Sequence, residues 1–160
     1  MPHFPLKIRL IAVGKLRESH WVAAANDYAQ RLQHYLDLEI IEIKDRVGKG
    51  KADAEAVAAE GNDIRQALRP EARAIVLNIE GKPLSSTEFA DWLQHCFAGG
   101  QRALDFVLGG PLGLSAELIK RADVRLSLST MTLPHELARI VLLEQLYRGC
   151  TILRGEKYHK

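Results

Sequence analysis

The sequence predicts an α/β fold with a mostly parallel sheet and helices on both faces, in one domain spanning residues 1–160. Three observations carry that expectation. Short apolar runs of strand length alternate with longer segments of helical period along the whole chain, the signature of layered α/β domains. The run at 74–79 is apolar but for Asn78, as befits a strand covered on both sides. Glycine-rich or small-residue segments follow the last two runs, where open parallel sheets place ligand-binding loops. No repeat, low-complexity stretch or linker interrupts the pattern.

Residues 6–13 read as a buried strand stopped by Gly14, and 18–36 as an amphipathic helix with Trp21, Ala25, Tyr28, Leu32 and Tyr35 at helical spacing. A second strand follows at 38–44, where Ile40, Ile41 and Ile43 are β-branched and suit a pleated surface. Residues 46–53 carry charges and two glycines and read as a mobile loop. The alanine-rich stretch 54–68 reads as a helix weakened at Gly61 and ended by Arg69-Pro70.

The third strand covers 74–79, with Gly81-Lys82-Pro83 as its exit. Ser85 and Glu88 form a capping-box pair that opens a helix reaching about Phe97, and Gly99-Gly100 ends it. Residues 104–108 form the fourth strand, 115–122 a short helix and 124–128 the fifth strand. The last helix runs from Pro134, a residue favoured near helix starts, to about Gly149.

The chain has 160 residues, 47% hydrophobic and 26% charged, enough to bury a core without disulfides. A net charge of +2 excludes a basic coat, so nucleic-acid binding needs a local patch or one assembled by dimerisation. The charged residues around Arg46, Lys49 and Lys51, with Lys15 and Arg17, are candidates for phosphate contacts; the alternative is a solvated loop. Cys96 and Cys150 lack metal-type spacing and read as reduced thiols of a cytoplasmic protein. His3, His20, His34 and His95 are scattered and read as surface or packing residues, so no metal is expected. No signal peptide and no membrane span are expected, since Lys7 and Arg9 flank only a short apolar run.

Two loops and a tail stand out. Gly109-Gly110-Pro111-Leu112-Gly113 permits close backbone approach after a strand, yet lacks the lysine and hydroxyl of a P-loop and the spacing of a dinucleotide fingerprint. It is either a ligand loop or a tight turn. Residues 128–135 offer the hydroxyls of Ser129, Thr130 and Thr132 and the soft surface of Met131, suited to enclosing an adenine ring. The bland alternative is a helix start capped by Thr132. The apolar surface of the last helix is wider than one stripe, so that helix is either central to the core or shared between subunits. Arg139 and Arg148 on it can grip a phosphate, or Arg148 can pair with Glu144. Tyr158 can stack on a base and His159 can carry a proton, unless the tail is frayed.

Taken in order, Ile11-Ala12-Val13-Gly14-Lys15, Ile79-Glu80-Gly81-Lys82-Pro83, residues 108–113, residues 126–135, Glu144-Gln145-Leu146-Tyr147-Arg148 and Tyr158-His159 resemble the RlmH (YbeA-like) family of SPOUT methyltransferases. The resemblance spans essentially the whole chain. It implies a SPOUT-type fold with a C-terminal trefoil knot, a rare exception to the unknotted-chain rule. It further implies a homodimer that uses S-adenosyl-L-methionine to methylate N3 of a pseudouridine in 23S ribosomal RNA of the large subunit, acting on assembled ribosomes. Cofactor contacts then fall on Leu77, Gly109, Leu128, Ser129, Thr130, Met131, Thr132 and Leu133. Methyl transfer to a uracil-type N3 needs its proton removed, for which His159 is the first candidate, with Arg154 or Lys160 as electrostatic alternatives and Tyr158 orienting the base.

Overall fold

The structure, a computed structural model, describes residues 4–160, so His3 lies outside the described residues. Five strands and five helices alternate: β1 (Lys7–Val13), α1 (Ser19–Leu32), β2 (Asp37–Ile43), α2 (Asp53–Ala67), β3 (Arg73–Pro83), α3 (Ser86–Ala98), β4 (Ala103–Leu108), α4 (Ala116–Arg121), β5 (Val124–Ser127) and α5 (His135–Leu153). They form one sheet in the order β2-β1-β4-β3-β5, and every strand pair is parallel. The α/β expectation therefore holds, with a fully parallel sheet.

The alternation of side chains along a strand divides the interior in two. Leu10 and Ala12 of β1, Ile75 of β3 and Phe106 of β4 enter one core with Leu32 of α1, Leu93 of α3 and Leu142, Leu143 and Leu146 of α5. Their neighbours Ile11, Val13, Val76 and Val107 enter the second, with Ile64 of α2 and Leu118 of α4. Central strands are thus apolar at consecutive positions because both faces are covered. The wide apolar surface of α5 has the same cause: it packs on α1 and α3 as well as the sheet. All six residues of β4 are buried, Asp105 among them. Asp105 is neutralised by Arg69, whose Nη2 lies 2.6 Å from Oδ1 and whose backbone N–H donates to Oδ2 at 2.7 Å.

Several boundaries move, each for a tertiary reason. α1 ends at Leu32, and residues 33–36 turn back so that Tyr35 and Leu36 donate their amides to the Leu32 carbonyl. α2 passes through Gly61 uninterrupted; a Cβ there would lie 3.0 Å from Ser115 Oγ, so the glycine admits the start of α4. The segment Gly81-Lys82-Pro83 extends β3, where an exit was expected. After a register shift Lys82 and Pro83 face Leu126 and Ser127 of β5. At Gly81 a Cβ would lie 2.7 Å from the Leu126 carbonyl carbon, so only glycine allows this crossing. α5 continues to Leu153, beyond the expected stop at Gly149, because Gly149 faces Leu93 and Phe89 of α3 and serves close packing. The capping box forms as expected: Ser85 Oγ accepts the Glu88 N–H at 3.1 Å, and Glu88 Oε1 accepts the Ser85 N–H at 2.9 Å.

Candidate active site

At the carboxyl ends of β3, β4 and β5 the chain leaves a cleft of about 500 Å³. One wall is Leu77 to Glu80 of β3, the second is Gly109 to Leu114 after β4, and the third is the segment after β5 with His135 and Ala138 of α5. Of the eight positions expected to hold a cofactor, Leu77, Gly109, Leu128, Ser129, Met131, Thr132 and Leu133 line this cleft, and Thr130 does not. Met131, Ile79 and Leu112 on its rim are 77%, 49% and 47% exposed. Large apolar side chains left in water at one rim mark a surface that something covers. Sequence pattern gives Ile79 and Leu112 no role of their own, because exposure of an apolar side chain at a strand end or a turn is set by the folded chain.

The loops are held by internal bonds. Gly113 donates its N–H to the Gly110 carbonyl at 2.9 Å, closing the turn after β4. Gly109 lies so close beneath it that a Cβ there would stand 2.7 Å from the Gly113 carbonyl carbon. The positive φ of Gly113, +78°, completes that turn. In the second loop Ser127 Oγ donates to the Ser129 carbonyl at 2.8 Å, and Ser129 Oγ accepts the Met131 N–H at 2.9 Å. The Ser129 hydroxyl therefore shapes the loop. Thr132 does not cap α5: the residue in that position is Pro134, and no side chain caps the helix there.

Residues 154–160 are not frayed. Tyr158 is half-buried against Tyr147, ring centroids 4.7 Å apart at 71°, with the Arg148 guanidinium 4.8 Å above its ring. Its hydroxyl donates to Glu144 Oε1 at 3.1 Å. The same oxygen accepts from Arg148 at 2.6 Å, so the expected intrahelical pair forms. Burial, then hydrogen bonds to Tyr28 and Glu144, push the Tyr158 hydroxyl well above the ordinary tyrosine range. It is a proton-bearing donor at neutral pH. Further back, Tyr35 donates to Glu156 Oε2 at 2.5 Å, tying the tail to the turn after α1. His159 is exposed, with Nδ1 3.2 Å from Arg148 Nη1. Arginine can only donate, so Nδ1 accepts and the neutral ring carries its proton on Nε2. Arg154 is exposed and lies 3.9 Å from Glu156.

Cleft and tail occupy different stretches of one helix. Glu144 and Arg148 stand about 14–20 Å along α5 from His135, at the helical rise of about 1.5 Å per residue. Within one chain the fold does not bring them together.

Arg139 does not reach outward for a phosphate. It is 4% exposed, donating from Nη1 to Glu42 Oε2 and from Nη2 to the Gly14 carbonyl, both at 2.8 Å. Arg46 is likewise engaged: its guanidinium holds Asp63 at 2.8 Å, and its backbone N–H donates to the buried Glu60. The segment after β2 is therefore anchored at its start. Lys15, Arg17, Lys44 and Lys49 line a second depression of about 810 Å³, which shares His135 with the cleft. Among the described residues no group of histidine, cysteine and carboxylate side chains could hold a metal ion, and no helix is long and apolar enough to cross a membrane.

Comparison with known proteins identifies the architecture. Residues 6–159 match the family described as predicted SPOUT methyltransferase. A protein of Carboxydothermus hydrogenoformans named ribosomal RNA large subunit methyltransferase H is 42% identical over 159 residues, covering 97% of this chain and all of its own. The protein of that name from Enterococcus faecalis is 41% identical over the same coverage. Among solved structures, a probable methyltransferase from Bordetella pertussis superposes with a TM-score of 0.59 at 17% identity, over 91% of this chain and 95% of its own. A proposed methyltransferase from Legionella pneumophila, solved with bound SAM, superposes with a TM-score of 0.52 at 16% identity, over 89% and 66%.

Proposed function

The chain belongs to the SPOUT methyltransferase family, and we propose that it transfers a methyl group from S-adenosyl-L-methionine to N3 of a pseudouridine in 23S ribosomal RNA of the assembled ribosome. The observation that carries this reading is the cleft at the carboxyl ends of β3, β4 and β5, bounded by a glycine turn and the 128–133 loop. Its volume falls in the range of about 300–1,000 Å³ usual for small-molecule sites. Leu77, Leu128, Leu133 and Met131 offer apolar cover for a purine and a methionyl chain. The names of the full-length relatives support large-subunit ribosomal RNA as the substrate. The trefoil knot is part of the same reading, supported by the family match over residues 6–159.

The cofactor, when bound, supplies a methyl group already activated on a sulfonium. The chain's own residues must align the nucleophile with it and remove the N3 proton. Tyr158, its hydroxyl kept protonated by burial and by hydrogen bonds to Tyr28 and Glu144, orients the base. His159 accepts the proton at Nδ1, the atom that Arg148 occupies here, so the incoming nucleotide must displace Arg148 from it. Arg154 and Lys160 supply positive charge for the deprotonated base. Since the tail lies about 14–20 Å along α5 from the cleft, a homodimer in which one copy's tail meets the other's cleft unites them.

The test is transfer of labelled methyl from S-adenosyl-L-methionine to intact ribosomes lacking the modification, beside free ribosomal RNA and transfer RNA. Label at N3 of a pseudouridine in the large-subunit RNA of ribosomes is the expected result. Label on transfer RNA instead, or none on any RNA while cofactor binds, overturns the assignment.

A further inference from the structure

The cofactor cleft occupies only one side of the start of α5. On the other side lies the depression of about 810 Å³, floored by the ends of β1 and β2 and walled by His135 and Glu136. It carries four cations from two separate segments: Lys15 and Arg17 from the turn after β1, Lys44 and Lys49 from the segment after β2. All four are exposed, and none takes part in an ion pair among the described residues.

The carboxylates in the same depression balance them only in part: Glu42 is spent on the buried Arg139, and Asp45 and Glu136 set two negative charges against four positive ones. Glu42 is held by the buried Arg139 at 2.8 Å. Asp45 accepts the Val47 N–H at 3.0 Å. Glu136 lies 3.2 Å from His135. The neighbouring Arg46 shows the contrast: it is tied to Asp63 and turned to local structure. Unmatched positive charge lined up in a concave surface focuses an anionic ligand. Arg139 makes the arrangement rigid, since it pins both the Gly14 carbonyl and Glu42 to α5, the helix that also walls the cofactor cleft.

We infer that this groove is the track for the RNA strand that carries the target nucleotide: Lys15, Arg17, Lys44 and Lys49 hold its phosphodiesters, and His135 marks where the strand passes into the cofactor cleft. The inference rests on the methyltransferase reading for its direction, because the groove leads to that cleft. A single strand is favoured over a duplex because a base must leave its stack to reach an enclosed reacting centre. Arg139 is a positioning residue for the track.

The experiment compares the full-length protein with Lys15→Gln/Lys49→Gln and with a control carrying the same charge change elsewhere, Lys7→Gln/Lys120→Gln. Lys7 begins β1, at the opposite end of the strand from the groove, and Lys120 lies on α4. Binding to a fluorescein-labelled single-stranded uridine-rich RNA is followed by anisotropy across a salt series, and S-adenosyl-L-methionine affinity by calorimetry. The groove variant is expected to lose about tenfold in RNA affinity near 0.15 M salt, as two exposed charge contacts are removed. Its log–log salt slope falls by roughly 1.4, about 0.7 for each cation lost from a single strand. Cofactor affinity and the melting temperature stay at wild-type values, and on ribosomes KM rises more than kcat falls. The inference is overturned if the groove variant binds RNA within twofold of wild type, or if the control loses as much. Should wild type methylate no ribosomal RNA, the methyltransferase reading falls, and the anisotropy comparison decides the groove by itself.

Discussion

Replacing Gly109 by alanine isolates what the turn after β4 requires. Its φ is not in the left-handed region, so the consequence is spatial. The added Cβ would lie 2.7 Å from the Gly113 carbonyl carbon, 2.9 Å from its oxygen and 3.0 Å from its Cα. All three are backbone atoms and cannot rotate aside. Carbon–carbon contacts relax at about 3.5–4.0 Å, so the turn must open by about 1 Å. Overpacking of this kind costs about 1–3 kcal/mol. Loss of the Gly113 N–H to Gly110 bond at 2.9 Å adds about 0.5–1.5 kcal/mol, giving roughly 2–4 kcal/mol in all. For a domain of this size that is a fall of roughly 4–16 °C in melting temperature. Urea unfolding measures the first quantity, and calorimetric titration with S-adenosyl-L-methionine should show at least about tenfold weaker binding as the wall moves. Leu112→Ala, on the same turn but exposed, serves as control and should stay within about 0.5 kcal/mol of wild type in stability. Gly109→Ala unfolding within that same margin would refute the steric argument.

Three further perturbations probe other parts of the molecule. Asp105→Asn removes the buried partner of Arg69 and should cost about 3 kcal/mol in urea unfolding, at the low end for buried pairs because Arg69 retains some solvent. His159→Ala should lower methyl transfer by about 10²–10⁴-fold while leaving cofactor affinity unchanged, and unaltered turnover would remove His159 from the chemistry. Burial of Glu60 raises its carboxyl pKa above the ordinary glutamate value, partly offset by the Arg46 N–H. A raised acid binds its proton more tightly when folded, so this group makes wild-type stability fall as pH rises from about 4.3 through the raised value. Glu60→Gln keeps an acceptor for Arg46 and should flatten that slope in denaturation midpoints measured between pH 4 and 8; an unchanged slope would mean another group carries it.

The layered fold is legible in residue pattern alone. Runs that are apolar on both faces, such as 104–108 with Asp105 the one exception, mark strands covered on both sides, and Ser85 with Glu88 specifies a helix start through bonds that are local in the chain. The glycine turn and the 128–133 loop were legible as candidate ligand loops because strand ends in parallel sheets always converge on one edge. Tertiary structure decided the rest, because the deciding partners are distant in sequence. Gly81 looked like a strand exit, yet its missing Cβ lets β3 continue past Leu126. Gly61 looked like a helix weakness but makes room for Ser115. Arg139 and Arg46 looked available to phosphate, until Glu42 and Asp63 were brought beside them. The tail looked frayed by position alone; Tyr35, Tyr147 and Glu144 dock it. Local pattern fixes which faces must be buried and where backbone can turn sharply, since these depend on neighbours a few residues away. Which charges are spent internally and which remain for a ligand depends on pairings across the sheet, and only the folded chain sets those.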